Sequence, residues 1–170
     1  MPVRNYRDGI LVIEDGTETP NTITISHEQG NLSWTETLNK VIVRDRGTLD
    51  SRRRGDDEPT KLTFTLNHVE LSSDISDTGE AETPTLREIL HAIGNAAAWA
   101  STADDGEEFA VRMIFWILNP DTLGKDEKIV FEKVALDSLQ FQEAAEADTL
   151  AVNAEDFETK PTVTRDDYSA

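Results

Sequence analysis

The sequence predicts a mainly β protein: a sandwich or barrel of two packed antiparallel sheets, with one short flanking α-helix and long charged loops. Three observations lead there. Period-two alternation of apolar and polar residues recurs in short runs bounded by Gly, Asp or Asn. Only one stretch carries helical spacing. And 170 residues without a cysteine must bury their core through packing alone, which a single domain of this length can do.

Taken in order, Ile10 to Ile13 reads as a first strand. In NTITIS, Ile23 and Ile25 face one way and Thr22, Thr24 and Ser26 the other. Lys40 to Arg44 reads as a third strand. In KLTFTLNHVEL, Leu62, Phe64 and Leu66 share one face, with Thr63, Thr65 and Asn67 opposite. A helix is predicted in TPTLREILHAIGN, because Leu86, Ile89, Leu90 and Ile93 follow i, i+3, i+4, i+7 spacing. Thr85 and Glu88 form a capping-box pair, Pro84 precedes the first turn, Gly94 suits a left-handed end, and AAAWAS extends the helix by a turn. Phe109 to Leu118 is apolar on both faces apart from Arg112, so it is expected as a central strand between two layers. Ile129 to Glu132, Val134 to Phe141 and Thr149 to Val152 bring the count to at least seven strands. Residues 1–170 form one domain with its core over about 10–153, a charged loop at 48–59, a second polar connection at 72–83 and a C-terminal arm at 155–170.

The charge is strongly acidic, with 34 Asp and Glu against 16 Lys and Arg and a formal net charge of -18. A surface of this sign repels nucleic-acid phosphates, which excludes a duplex-binding role built on clustered cations. No run approaches the roughly 18 apolar residues of a membrane span, and MPVRNYRDG lacks the apolar segment of an export signal, so a soluble protein without membrane contact is expected. The most basic point is Arg52, Arg53 and Arg54, which follows Arg44 and Arg46 and precedes Asp56, Asp57 and Glu58. It reads either as a self-neutralised solvated loop or as a docking loop for an acidic partner.

Residue types that carry chemistry do not converge. His27, His68 and His91 stand apart, without metal-ligand spacing, and are read as structural, with His68 and His91 partly buried. The acidic run of Asp104, Asp105, Glu107 and Glu108 lacks the spacing of a calcium loop and reads as a solvated turn. No phosphate-binding glycine loop, nucleophile elbow or dinucleotide fingerprint is present, so no enzyme and no cofactor are expected. Trp99 and Trp116 sit in apolar runs as core residues, whereas Trp34, in GNLSWTET, is either free to meet a partner or caps a sheet.

The order of features then becomes informative: a hairpin region, the stretch KVIVRDRGTLDSRRRGDDEPTKLTFTL, one short helix, a long apolar strand and the closing segment SLQFQEAAEADTLAV. In that order the chain resembles the major tail tube proteins of bacteriophages and gene transfer agents, over most of residues 10–153. The resemblance implies a β-sandwich subunit without catalytic residues that assembles into stacked hexameric rings. It also implies a place in the virion tail, host cytoplasm during assembly, and partners such as tape measure, terminator and distal tail proteins. DNA would pass without specific binding. On this reading Thr22, Thr24, Ser26, Thr63, Thr65 and Asn67 are candidates to face the channel. Arg52, Arg53, Arg54, Asp56 and Asp57 form a ring-stacking loop whose acidic partners are Glu143, Glu146 and Asp148. An acidic wall suits the passage, because a duplex carries one charge per about 1.7 Å. The rival expectations are a monomeric carbohydrate- or protein-binding β-sandwich that uses Trp34 and the long loops, and a hydrolase built on acidic residues.

Overall fold

The computed structural model describes residues 9–26, 32–45, 48–67, 84–119, 125–143, 149–158 and 160–168. The strands are β1 (Gly9–Glu14), β2 (Thr22–Ser26), β3 (Ser33–Thr35), β4 (Leu38–Asp45), β5 (Thr48–Asp57), β6 (Thr60–Asn67), β7 (Ala110–Ile117), β8 (Asp126–Gln142), β9 (Thr149–Asp156) and β10 (Thr162–Asp166). One helix, α1 (Leu86–His91), precedes β7. The mainly β, antiparallel prediction with one short helix therefore holds. Eight strands form one antiparallel sheet in the order β2-β1-β7-β8-β9-β6-β3, with β10 also paired to β8, and β4 with β5 makes a separate two-stranded sheet.

The large sheet curls on itself, and its aromatic contacts prove the curl. Trp34 on β3 meets Phe131 on β8 edge to face at 5.9 Å and Phe115 on β7 at 6.4 Å. Three strand spacings separate β3 from β8, about 14 Å if the sheet were flat. The concave face holds Leu11, Ile13, Leu62, Phe64, Met113 and Phe131, all nearly inaccessible, and α1 adds Leu86 and Ile89 to the same core. Trp34 thus caps the sheet rather than standing free.

The segment expected between two layers behaves as its composition demands. On β7, Val111, Met113, Phe115 and Ile117 enter the main core, while Ile114 and Trp116 join Val12 and Val130 in a smaller cluster on the other face, covered by Ile10 and Tyr168. The middle place in the order belongs to β8, its neighbour. Instead of two strands, β8 is one run of 17 residues. Its first half pairs with β7 and β10, its second with β9, and an irregularity between Leu136 and Ser138 accommodates the change.

Two other expectations are corrected. Residues 48–57 are not a loop but the second strand of the β4–β5 hairpin: in a ribbon exposed on both faces, cross-strand hydrogen bonding sustains a strand without any apolar alternation. The C-terminal arm is likewise structured, since β9 continues to Asp156 and β10 pairs residue by residue with Asp126 to Val130 of β8. The connection at 72–83 lies outside the described residues.

Helix α1 starts where its capping box predicts: Thr85 Oγ1 accepts the Glu88 N–H at 3.3 Å, and the Glu88 carboxylate accepts the Thr85 N–H at 2.8 Å. It ends earlier than expected, with Ala92 left-handed at φ 50°, and a 3-10 turn over Gly94–Ala96 replaces the anticipated extension. At the β1–β2 turn, Asp15 is buried and accepts hydrogen bonds from the Thr17 hydroxyl and from both nitrogens of Asn21, each at 2.8 Å. Burial pushes this carboxyl up, but these bonds and one from the Ala100 N–H outweigh burial and leave it below its ordinary range. Gly16 is required beside it, since a Cβ there would lie 2.1 Å from the Ser101 carbonyl oxygen.

Candidate functional site

The β4–β5 hairpin is the feature that the packing of the domain does not explain. Among the described residues it pairs with no strand of the large sheet. Isolated two-stranded ribbons are marginal in water. Yet this one exposes three consecutive aliphatic residues, Val41 at 52%, Ile42 at 50% and Val43, besides Leu38 near its base. Successive side chains point to opposite faces, so both faces of the ribbon carry apolar surface.

The arginines lie directly across from these residues. Arg53 pairs with Val41, Arg52 with Ile42 and Arg54 with Lys40. Two one-residue surpluses on β5, near Gly55 and near Asp50, bend the ribbon. Gly55 fits the first because a Cβ there would meet Asn39 Cβ at 3.0 Å. Arg54 is bound to Asp57 through two of its guanidinium nitrogens, and that hydrogen bond, against a small opposing effect of burial, holds the Asp57 carboxyl below its ordinary range. Asp56 is exposed on the same strand.

Beside the ribbon lies a groove of about 440 Å³, lined by Leu38, Asn39, Lys40, Arg52, Arg53, Arg54 and Lys160. The predicted arginine cluster is therefore brought together, with two cations that sequence reasoning missed. Lys160 arrives from the connection between β9 and β10, more than a hundred positions away in sequence, so only the fold could reveal it. Lys40 was legible only as the start of the Lys40 to Arg44 strand, and the exposure of Leu38 and of Val41 to Val43 not at all.

The remaining predicted residues divide. Thr22, Thr24 and Thr63 are exposed, Thr65 is half-buried, and the Ser33 and Thr63 hydroxyls bond at 2.6 Å. The side chains of Ser26 and Asn67 lie outside the described residues, although both backbones are in strands. β2 and β6 lie toward opposite ends of the sheet order, and their threonine faces point away from the core. Glu143 is exposed just after β8, whereas Glu146 and Asp148 lie outside the described residues, as do Arg46, His27 and His68. His91 is exposed rather than partly buried, because α1 turns it away from Leu86 and Ile89.

The acidic run before β7 is a tethered turn. Lys133 reaches Asp104 at 2.8 Å, Glu107 at 3.4 Å and Glu158 at 3.4 Å. The hydrogen bond to Asp104 leads the effects that raise its pKa. Next to it, Asp156 is fully buried, and one oxygen accepts the N–H groups of Lys133 at 3.1 Å and Glu158 at 3.2 Å. Its other oxygen has no partner among the described residues. Burial raises the pKa of this carboxyl, helped by the nearby Glu158 and Glu132 charges, and the two hydrogen bonds only partly offset it. Asp156 holds the junction at which the chain passes from β9 to β10 along β8.

No protein-family model and no curated protein matches the sequence. The fold does have counterparts among solved structures. A chain of the sheath/tube terminator of an extracellular contractile injection system (PVC) in its extended state aligns with TM-score 0.58 and 11% identity, over 96% of this chain and 97% of that one. A chain of the PVC sheath-tube complex aligns with the same TM-score and identity, over 96% and 92%. A chain of the anti-feeding prophage tube-terminating cap aligns with TM-score 0.53 and 11% identity, over 97% and 92%. The protein thus shares its fold, along nearly its whole length, with chains from the sheath-tube and terminator assemblies of the PVC contractile injection system and from the anti-feeding prophage tube-terminating cap.

Proposed function

We propose that this chain is a structural subunit that joins copies of itself into rings, hexameric by the resemblance, and stacks them into a tail tube through which DNA passes. The observation that carries the reading is the hairpin. A ribbon that stands off the large sheet, with aliphatic residues exposed on both faces and three arginines opposite them, is stabilised when another subunit covers it. The likeness to chains of contractile tube assemblies supports the same role.

Side-by-side joining has its own support. β2 and β3 terminate the sheet order, so an edge of one copy can continue into an edge of the next, and ring closure then removes both edges from solvent. The threonine faces of β2 and β6 form a neutral polar wall on such a continuous sheet, and the acidic balance keeps a duplex from adhering to it. Repulsion of this kind acts within a Debye length of roughly 8 Å at physiological salt, so it lubricates locally. No catalytic role is proposed. Terminator, distal tail and tape measure proteins are the further partners that this role requires.

The monomeric recognition module loses its main support, because Trp34 packs edge to face on Phe115 and Phe131 instead of offering a platform. Negative-stain electron microscopy of the concentrated protein tests the reading. Rings or hollow tubes are expected, and particles of monomer size at every concentration would overturn it.

A further inference from the structure

We propose that the C-terminal arm, β10 with Tyr168, is exchanged between copies: in the assembled state the arm of one copy lies along β8 of the next. The proposal rests on the self-assembling reading above, in which hairpin contacts gather the copies and exchanged arms lock them together. The registers show how the arm is mounted. Asp156 pairs with Val134 and Thr162 with Val130, so β9 and β10 follow one another along the edge of β8 that faces away from β7. The five residues between them, 157–161, face only the three β8 positions 131–133, and the surplus is thrown out as a turn at Phe157 and Glu158. Thr159 in this connection lies outside the described residues. All five side chains of β10 are exposed, so among the described residues the arm is held by its backbone ladder and by Tyr168. The Tyr168 ring meets Trp116 edge to face at 5.4 Å, and the Tyr168 N–H donates to Asp126 at 3.0 Å.

Lifting the arm uncovers two surfaces that the same segment of a second copy fits. One is the edge of β8 over Asp126 to Val130, whose residues pair with β10 in the closed chain. The other is the small apolar cluster of Val12, Ile114, Trp116 and Val130, against which Tyr168 packs. Trp116, Lys128 and Thr164 form one row across β7, β8 and β10, which puts Tyr168, four residues beyond Thr164, on the face of that cluster. A neighbour's arm carries the same register and the same tyrosine, so exchange restores every contact that opening removes. The hinge is what disfavours the closed arrangement. Asp156 is fully buried, with one oxygen taken by the Lys133 and Glu158 N–H groups and the other without a partner among the described residues. The Lys133 ammonium beside it is already divided among Glu158, Asp104 and Glu107. An unpaired buried acceptor costs free energy, and opening the turn lets water reach it. Short hinges that carry such a cost favour exchange between copies. Passed from each copy to the next, the arms close a ring.

The chain has no cysteine, so an introduced pair reports on the arm alone. Lys128→Cys with Thr164→Cys places two thiols on directly opposed residues, whose Cα atoms in an antiparallel pair lie about 4.5–5.5 Å apart, within disulfide reach. Glu127→Cys with Arg165→Cys repeats the test one position along, should circular dichroism show that the first variant does not fold. Oxidised as a dilute monomer, the arm is locked to its own β8; particle formation on concentration should then be lost, and reductant should restore it. Assembled in the reduced state and oxidised afterwards, the chains should run as covalent multimers on a denaturing, non-reducing gel. Particles whose chains still run singly after oxidation, or a locked monomer that assembles as the reduced one does, overturn the exchange and leave the self-assembling reading standing. A parent protein that never associates overturns that reading, and the exchange with it.

Discussion

Replacing Phe131 with alanine probes the curl of the large sheet, on which every other assignment depends. The ring is fully buried, sits on the central strand, and receives Trp34 from the far edge strand at 5.9 Å. Deleting a buried phenyl group costs about 3–5 kcal/mol, and an edge-to-face pair contributes about 0.5–1.5 kcal/mol beyond burial, so a loss of about 4–5 kcal/mol is expected. Domains of this size have about 5–15 kcal/mol in total, so the urea midpoint should fall by a third or more. The control is Val163→Ala on β10, exposed at 57%, which should stay within about 0.5 kcal/mol. A double-mutant cycle with Trp34→Ala should return a coupling of about 0.5–1.5 kcal/mol. A Phe131 loss below about 1.5 kcal/mol with unchanged denaturant slope, or no coupling to Trp34, would mean that the edge strand does not close over the core.

Other outcomes follow from single sites. Thr85→Ala removes the N-cap of α1 and should cost about 1 kcal/mol in urea unfolding, with the helix otherwise intact. Asp156 has a folded pKa above its ordinary value of 3.8, so the folded state binds the extra proton. Its effect is that stability falls as pH rises from about 3.8 through the raised pKa, and Asp156→Asn should remove that part of the slope in unfolding measured from pH 4 to 8. Asp15, whose folded pKa is depressed, works in the opposite sense: the stability it provides is present above pH 3.8 and lost as pH falls toward its folded value, so Asp15→Asn should weaken the fold at neutral pH and flatten the acid limb.

The buried half of the fold was legible because burial imposes a pattern. Ile23 with Ile25, and Leu62 with Phe64 and Leu66, alternate since only one face of β2 and β6 meets the core. Phe109 to Leu118 loses alternation because β7 is covered on both faces, and Thr85 with Glu88 marked the start of α1 through local hydrogen bonds. What escaped was structure held by hydrogen bonding alone. Over 51–57 β5 has no buried residue and β10 is exposed throughout, so no periodicity announces either strand. For the same reason the arginines were visible as a cluster but not as part of a ribbon. Lys160 joins them only because β9 ends beside the hairpin, which the β6–β9 register brings about.

Sedimentation velocity of a hairpin-shortened protein, with residues 39–56 replaced by a short Gly-Ser turn, addresses the central claim most directly. Because the ribbon pairs with no other strand among the described residues, the shortened chain should fold with nearly the parent's urea midpoint and sediment as a monomer at concentrations where the parent forms large particles. A shortened chain that still forms those particles, or one that no longer folds, would contradict a hairpin that exists for contact between copies.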